Sequence, residues 1–223
     1  MDDRVYVAFD TAGPTIGVAA CRGSDIEVHT ARAQRGAEGR LIPWLDGVLV
    51  ALGAVPKDIA GVGCTVGPGT FTGLRVGLST TVGLAMGLGV PVWTCDSLWP
   101  RAVRVNAHER LLVVLDARKG RVYAAMHQGG ARVGAISDVA PMELLAALEP
   151  GTWVTGEAAG VYKDLWEGAG ARVVDTWEDP GVGHLVGLTR EGLLRGEGES
   201  PSRVRPLYVR RPDAKTMAER GVS

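Results

Sequence analysis

The sequence predicts an α/β protein of two lobes, each a three-stranded meander followed by α/β crossovers. Two observations carry that prediction. Short β-rich runs alternate with runs at helical spacing along the chain. The order of these elements over residues 1–106 then recurs over residues 107–202, although no residue-level repeat accompanies it. A length of 223 residues, 46% of them hydrophobic and 22% charged, leaves ample core for two such units.

In the first lobe, Arg4–Asp10 reads as a strand ending in an acid, and Thr15–Cys21 as a second strand after the turn Thr11–Pro14. Asp25–Ala33 alternates well enough to complete the meander. Glu38–Leu52 follows with Leu41, Leu45, Val48 and Leu52 on one helical face, and Pro43 should confine the regular helix or kink its first turn. Ile59–Val66 is a buried strand, Leu74–Leu88 an apolar helix, Val90–Thr94 a strand and Leu98–Val105 a helix. In the second lobe, Leu111–Ala117, Arg121–His127 and Arg132–Val139 form the meander. Pro141–Leu148 is a helix with proline at its first position, followed by strand Trp153–Thr155, helix Val161–Gly168, strand Arg172–Val174 and helix Val182–Leu194. The lobe boundary is expected at 106–110, and 203–223 is a basic tail.

Two lobes of this plan match the ribonuclease-H-like, actin and sugar-kinase (ASKHA) architecture, which directs attention to the first hairpin of each lobe. Asp10 and Thr11 end the first strand of one lobe; Asp116 and Arg118 end that of the other. Carboxylates so placed can face a magnesium–nucleotide complex, and they can equally cap their own turns. Gly156 precedes a helix where an adenine pocket would lie, but the adjacent Glu157 brings a negative charge that disfavours phosphate. Between strand and helix, Gly67-Pro68-Gly69-Thr70-Phe71-Thr72-Gly73-Leu74-Arg75-Val76-Gly77 resembles a phosphate cradle. Its spacing fits neither the P-loop nor the dinucleotide fingerprint, so anion binding and tight backbone packing both remain open.

Composition excludes several classes. A net charge of -1 argues against a broad basic surface gripping nucleic acid. The acidic N-terminus running straight into a strand gives no signal peptide, and Val76–Cys95 is too broken by glycine and proline to span a membrane. Cys21, Cys64 and Cys95 lack metal or redox spacing and read as buried thiols in a cytoplasmic protein. No two of His29, His108, His127 and His184 share helical spacing, and no nucleophile elbow is present, so neither a metal cluster nor a hydrolase triad is nominated. The helices over 41–52 and 74–88 are apolar around much of their circumference, and Gly73, Gly77 and Gly83 would let another helix approach closely; a docking surface and plain burial both explain this. In the tail, Arg203, Arg205, Arg210, Arg211, Lys215 and Arg220 outnumber Asp213 and Glu219, which suits either a solvated segment or an RNA phosphate contact.

Four stretches together resemble the TsaB (YeaZ) family: FDTAGPTIGVAA, GPGTFTGLRVGLSTTVGLAMGLGVPV, LDARKGRVYAA and RPLYVRRP. The resemblance implies a non-catalytic, cytoplasmic subunit without cofactor, belonging to the machinery that installs threonylcarbamoyl on the adenosine beside the tRNA anticodon. It implies pairing with the catalytic paralogue TsaD, self-association through a similar surface, cooperation with the ATPase TsaE, and a functional link to TsaC; tRNA contact is indirect or through the tail. The expected interface comprises Leu41, Leu45, Val48, Leu52, Thr72, Gly73, Val76, Gly77 and Thr80. It further implies that the metal-binding histidine pair of the catalytic paralogue corresponds here to Ser97 and Arg101, and that a histidine common in relatives is replaced near Ala37. The rival readings are a nucleotide-dependent phosphotransferase using Asp10 and Asp116, and a peptidase for which no nucleophile can be named.

Overall fold

A computed structural model of the chain describes residues 3–34, 36–105, 110–174 and 180–210. Of the expected boundary at 106–110, all but Arg110 lies outside the described residues, His108 included, as do the side chain at Ala37 and the tail beyond Arg210. Within them are two five-stranded sheets. The first has the order β3–β2–β1–β4–β5, with β1 (Val5–Asp10), β2 (Thr15–Arg22), β3 (Asp25–Arg32), β4 (Ile59–Thr65) and β5 (Val92–Cys95). The second has the order β10–β9–β6–β7–β8, with β6 (Leu111–Arg118), β7 (Arg121–Gln128), β8 (Ala131–Val139), β9 (Trp153–Thr155) and β10 (Arg172–Val173). In each sheet the meander is antiparallel and the crossover strands are parallel. With β6 in the place of β1, the two orders coincide, so the repeated element order is a repeated topology.

Both faces of each sheet are covered. Val5, Val7 and Phe9 point from β1 to one face, where they meet α1 (Leu41–Ala51) and α2 (Phe71–Leu88). Tyr6 and Ala8 point to the other, following the period of two along a strand. There they meet Val182, Leu185 and Val186 of α6 (Val182–Leu194), a helix from the far end of the chain. The second sheet packs on α4 (Glu157–Val161) and α5 (Lys163–Gly168) through Ala158, Ala159 and Trp166. Its opposite face receives α3 (Trp99–Val105), where Leu98 and Ala102 pack on Leu111, Val113 and Leu115. Each lobe therefore lends a helix to the other. Gly63 makes room for α6, since a Cβ there would lie 1.9 Å from Thr189 Oγ1.

Several elements depart from expectation for local reasons. Pro43 is the third residue of α1, where its missing N–H needs no partner, and the preceding turn Ala37–Arg40 tightens to a 3-10 helix. α2 starts at Phe71, not Leu74, because the Thr70 hydroxyl caps it by accepting from Gly73 N at 3.3 Å. Pro141–Ala147 is a 3-10 helix rather than an α-helix, and the helix expected at Val161–Gly168 is two short ones broken at Tyr162. The tail is not a solvated segment over 204–210. Val204 is buried in the first core, Leu207 N donates to Val66 O at 2.7 Å, and Arg210 reaches Asp138 of the second lobe at 2.9 Å.

Candidate functional site

The junction of the lobes is held by a buried arginine. Arg101 extends from α3 with no exposure, and Asp10, Glu157 and Ser97 are equally enclosed. Its Nη1 donates to Asp10 Oδ2 at 2.7 Å and to the Ser97 carbonyl at 2.6 Å; Nε and Nη2 donate to Glu157 at 3.0 and 2.5 Å. Asp10 Oδ1 is also occupied, accepting from Ala12 N at 2.9 Å and the Thr65 hydroxyl at 3.0 Å. Burial alone would lower the pKa of Arg101, but Asp10 and Glu157 outweigh it and raise the pKa, so the guanidinium stays charged. One cation thus joins an acid from each lobe.

This geometry decides among the readings of Asp10. Its carboxylate is consumed by Arg101, whereas Asp116 lies in an open cleft and accepts from Arg118 N at 2.8 Å. Asp10 is fully buried, whereas Thr11 and Arg118 of the same expected cleft line one cavity of about 260 Å³. Ser97 and Arg101 do not fit the metal that the resemblance attaches to those positions: a guanidinium has no lone pair to offer and repels a cation. Among the described residues no group of three or more His, Cys, Asp or Glu is placed to hold a metal. Gly156 caps α4 at φ 98°, and a Cβ there would sit 2.3 Å from the Val114 carbonyl; it forms the turn that delivers Glu157 to Arg101.

The glycine-rich motif is a packing device against its own lobe. Thr11 Oγ1 donates to Gly73 O at 2.7 Å. A Cβ on Gly73 or Gly77 would fall 2.1 Å from Thr11 O and 2.2 Å from Thr11 Oγ1. Gly69 likewise abuts Ala12, Thr70 N donates to Ala12 O at 2.9 Å, and Gly67, at φ 119°, receives the Leu207 carbonyl. The glycines expected at a partner interface are therefore committed to the β1–β2 turn. Leu41, Leu45 and Val48 are also withdrawn: they are 1%, 2% and 5% exposed and form the floor of the first core, each contributing about 1.5–3 kcal/mol by burial. Leu52 is half-buried against the same core.

What these helices present outward overlaps the expected set at Thr72, Val76 and Thr80 and otherwise differs from it. α1 exposes Ile42 and Val50, and α2 exposes Thr72, Ser79, Gly83 and Met86, with Val76 and Thr80 half-buried. Val50 and Met86 are 76% and 66% exposed. The helical period was legible in the sequence, but a helix apolar on both sides does not reveal which side its own sheet covers.

A second feature, missed by sequence reasoning, is a cleft of about 390 Å³ between the start of α2 and the β6–β7 turn. Thr70, Phe71 and Thr72 line one wall, Asp116, Arg118, Lys119 and Tyr123 the other, and Tyr208 and Arg210 of the tail close its end. Arg75 Cζ lies 3.8 Å from the Phe71 ring centre, and Tyr208 stacks near Phe71 at 5.6 Å. Arg118 and Lys119 hold left-handed backbone, at φ 64° and 55°, unusual for residues with a Cβ.

Comparison with known proteins places this arrangement. Residues 27–149 match the TsaD family profile, described as tRNA N6-adenosine threonylcarbamoyltransferase. An uncharacterized protein of Mycobacterium tuberculosis is 33% identical over 224 residues, spanning 95% of this chain and 94% of its own. One from Mycobacterium leprae is 31% identical over 220 residues, and there the match spans only 56% of that protein's length. The tRNA threonylcarbamoyladenosine biosynthesis protein TsaB of Escherichia coli is 34% identical over 125 residues, 55% of this chain and 54% of that one. Among solved structures, YeaZ from Pseudomonas aeruginosa superposes with a TM-score of 0.77 over 92% of this chain and 99% of its own, at 24% identity. The ethanolamine utilization protein EutJ of Carboxydothermus hydrogenoformans gives 0.51 at 13% identity over 85% of this chain. Both structural matches speak to the fold alone.

Proposed function

This chain belongs to the TsaD family, as a TsaB (YeaZ) homologue within it, and on that premise we propose that it is a non-catalytic subunit of the tRNA threonylcarbamoyladenosine machinery that binds and activates a TsaD-type catalytic partner. The observation that carries the reading is Arg101. Where the resemblance implies a metal-binding pair in the catalytic paralogue, this chain has Ser97 and a buried guanidinium locked between Asp10 and Glu157. That arrangement supports a lobe that keeps the architecture and gives up the chemistry. It also disfavours the phosphotransferase reading, since Asp10 has no free oxygen for a magnesium ion.

Docking then falls to the outer faces of α1 and α2, through Ile42, Val50, Val76 and Met86, while Leu45 and its neighbours hold the platform rigid from beneath. Cooperation with TsaE and TsaC, and a homodimer on the same face in the absence of TsaD, belong to the same reading. Reconstitution of tRNA threonylcarbamoylation with TsaC, TsaD and TsaE tests it. Modification should depend on adding this chain; equal modification without it sinks the proposal. Val50→Asp with Met86→Glu should abolish co-purification with TsaD and leave folding intact, because both side chains face solvent.

A further inference from the structure

The cleft beside the β6–β7 turn combines features that docking to a protein partner does not require. Its floor is an aromatic stack, Arg75 on Phe71 on Tyr208, with Phe71 43% and Tyr208 38% exposed. Arg75 and Tyr208 both pack against Phe71, and both aromatic rings stay partly open to solvent. Around it stand Arg118, Lys119 and Arg210, against Asp116 as the acid in the same wall. Arg210 is tied to Asp138 at 2.9 Å and to the Ala117 carbonyl at 3.3 Å, so its charge is fixed at the rim. The side chain of Arg118 is 70% exposed and its ion pair with Asp116 is long, at 3.9 Å. Three cations thus surround the exposed aromatic rings, Arg210 neutralised by Asp138 and Arg118 held only at long range by Asp116. The volume of about 390 Å³ lies within the range of small-ligand pockets, roughly 300–1,000 Å³.

We propose that this cleft is a platform for single-stranded RNA, in which one unstacked base extends the Arg75–Phe71–Tyr208 column and the flanking phosphates meet Arg118 and Lys119. The physical reason is the pairing of the two recognition modes. Stacking needs a base already out of a helix, which a loop supplies and a duplex does not, and a phosphate backbone complements the local cations. The tail supplies the top layer of the stack: Leu207 N on Val66 O and Arg210 on Asp138 hold Tyr208 across both lobes. The inference rests on the RNA context of the proposed function, but it concerns the first turn of α2 and the β6–β7 turn rather than Ile42, Val50, Val76 and Met86.

The test is fluorescence anisotropy with a labelled RNA hairpin carrying a single-stranded loop, and with a blunt RNA duplex of equal length, using the full chain alone and bound to TsaD. Tyr208→Ala should weaken hairpin binding roughly ten-fold and leave duplex binding unchanged, while Tyr208→Phe retains the affinity. Arg118→Ala with Lys119→Ala should reduce the salt slope of hairpin binding by about 1.4, two phosphate contacts at roughly 0.7 each. Equal binding of hairpin and duplex, or no effect of Tyr208→Ala, overturns the proposal. So does loss of TsaD co-purification in Tyr208→Ala, which would make the stack a protein contact. Complete displacement of the RNA by AMP that binds equally well by itself overturns it too, by assigning the cleft to a free nucleotide. If the chain stimulates modification yet neither it nor its TsaD complex shows the Tyr208 effect, this inference fails and the proposed function stands; an intact Tyr208 effect without stimulation gives the converse.

Discussion

Replacing Arg101 by methionine perturbs the centre of the molecule most directly. The side chain is fully buried and makes contacts of 2.5–3.0 Å to Asp10 and Glu157, one acid from each lobe. Its removal leaves two enclosed carboxylates without a counter-charge, a situation that costs about 3–5 kcal/mol. For a chain of this size that corresponds to a fall in melting temperature on the order of 10 °C. The assay is urea and thermal unfolding followed by circular dichroism. A core defect alone would give a similar loss, so the decisive variant is the triple Arg101→Met, Asp10→Asn, Glu157→Gln. Removing all three charges eliminates the uncompensated carboxylates, and most of the lost stability should return. The reasoning is refuted if Arg101→Met is as stable as the parent, or if the triple variant is no more stable than the single one.

Two further perturbations separate parts of the structure. His127 is 2% exposed, and burial lowers its pKa against the opposing pull of Asp96 and of the Ala125 backbone. Above pH 6.5 the ring is neutral folded or unfolded; below it, the unfolded chain takes up a proton that the folded chain refuses. Stability should therefore fall as pH drops below 6.5, by up to about 1.4 kcal/mol per pH unit, until the folded pKa is reached. Urea midpoints at neutral and mildly acid pH should show that loss in the parent and a smaller one in His127→Leu; identical losses would remove His127 as the cause. Gly77→Ala places a methyl 2.2 Å from Thr11 Oγ1 and should destabilise by about 1–3 kcal/mol, whereas Gly83→Ala meets open space and should be neutral or stabilising by up to about 1 kcal/mol. Thermal melts of the two decide whether α2 is pressed onto the β1–β2 turn.

The sheets were legible because short β-rich apolar runs bounded by turn residues, such as residues 5–9, mark strands buried on both faces. The Arg101 lock was not, since its partners are 91 and 56 residues away and nothing local links them. Its only trace is a single charge in the otherwise apolar run Leu98–Val103, beside a Glu157 that sequence reasoning treated as an obstacle to a nucleotide. The glycines of the central motif suggest close approach of another helix, but spacing does not name the surface approached: Gly73 and Gly77 meet the turn residue Thr11, and Gly83 meets open space. In the tail, Val204, Leu207 and Tyr208 between the arginines were the sign that the segment is fastened down; charge count obscured it.

The exchange of helices between lobes bears on how the chain acquires its structure. The face of the first sheet that carries Tyr6, Ala8 and Trp93 is covered by α6, which begins at Val182. A ribosome must deliver more than three-quarters of the chain before that face can close. Until then β1 and β5 present a bare apolar surface, and the search that ends it spans a long stretch of sequence, which slows folding and favours transient chaperone capture. The halves are accordingly not separable modules. Each is an unfinished sandwich, and residues 1–106 expressed alone should aggregate or remain partly folded.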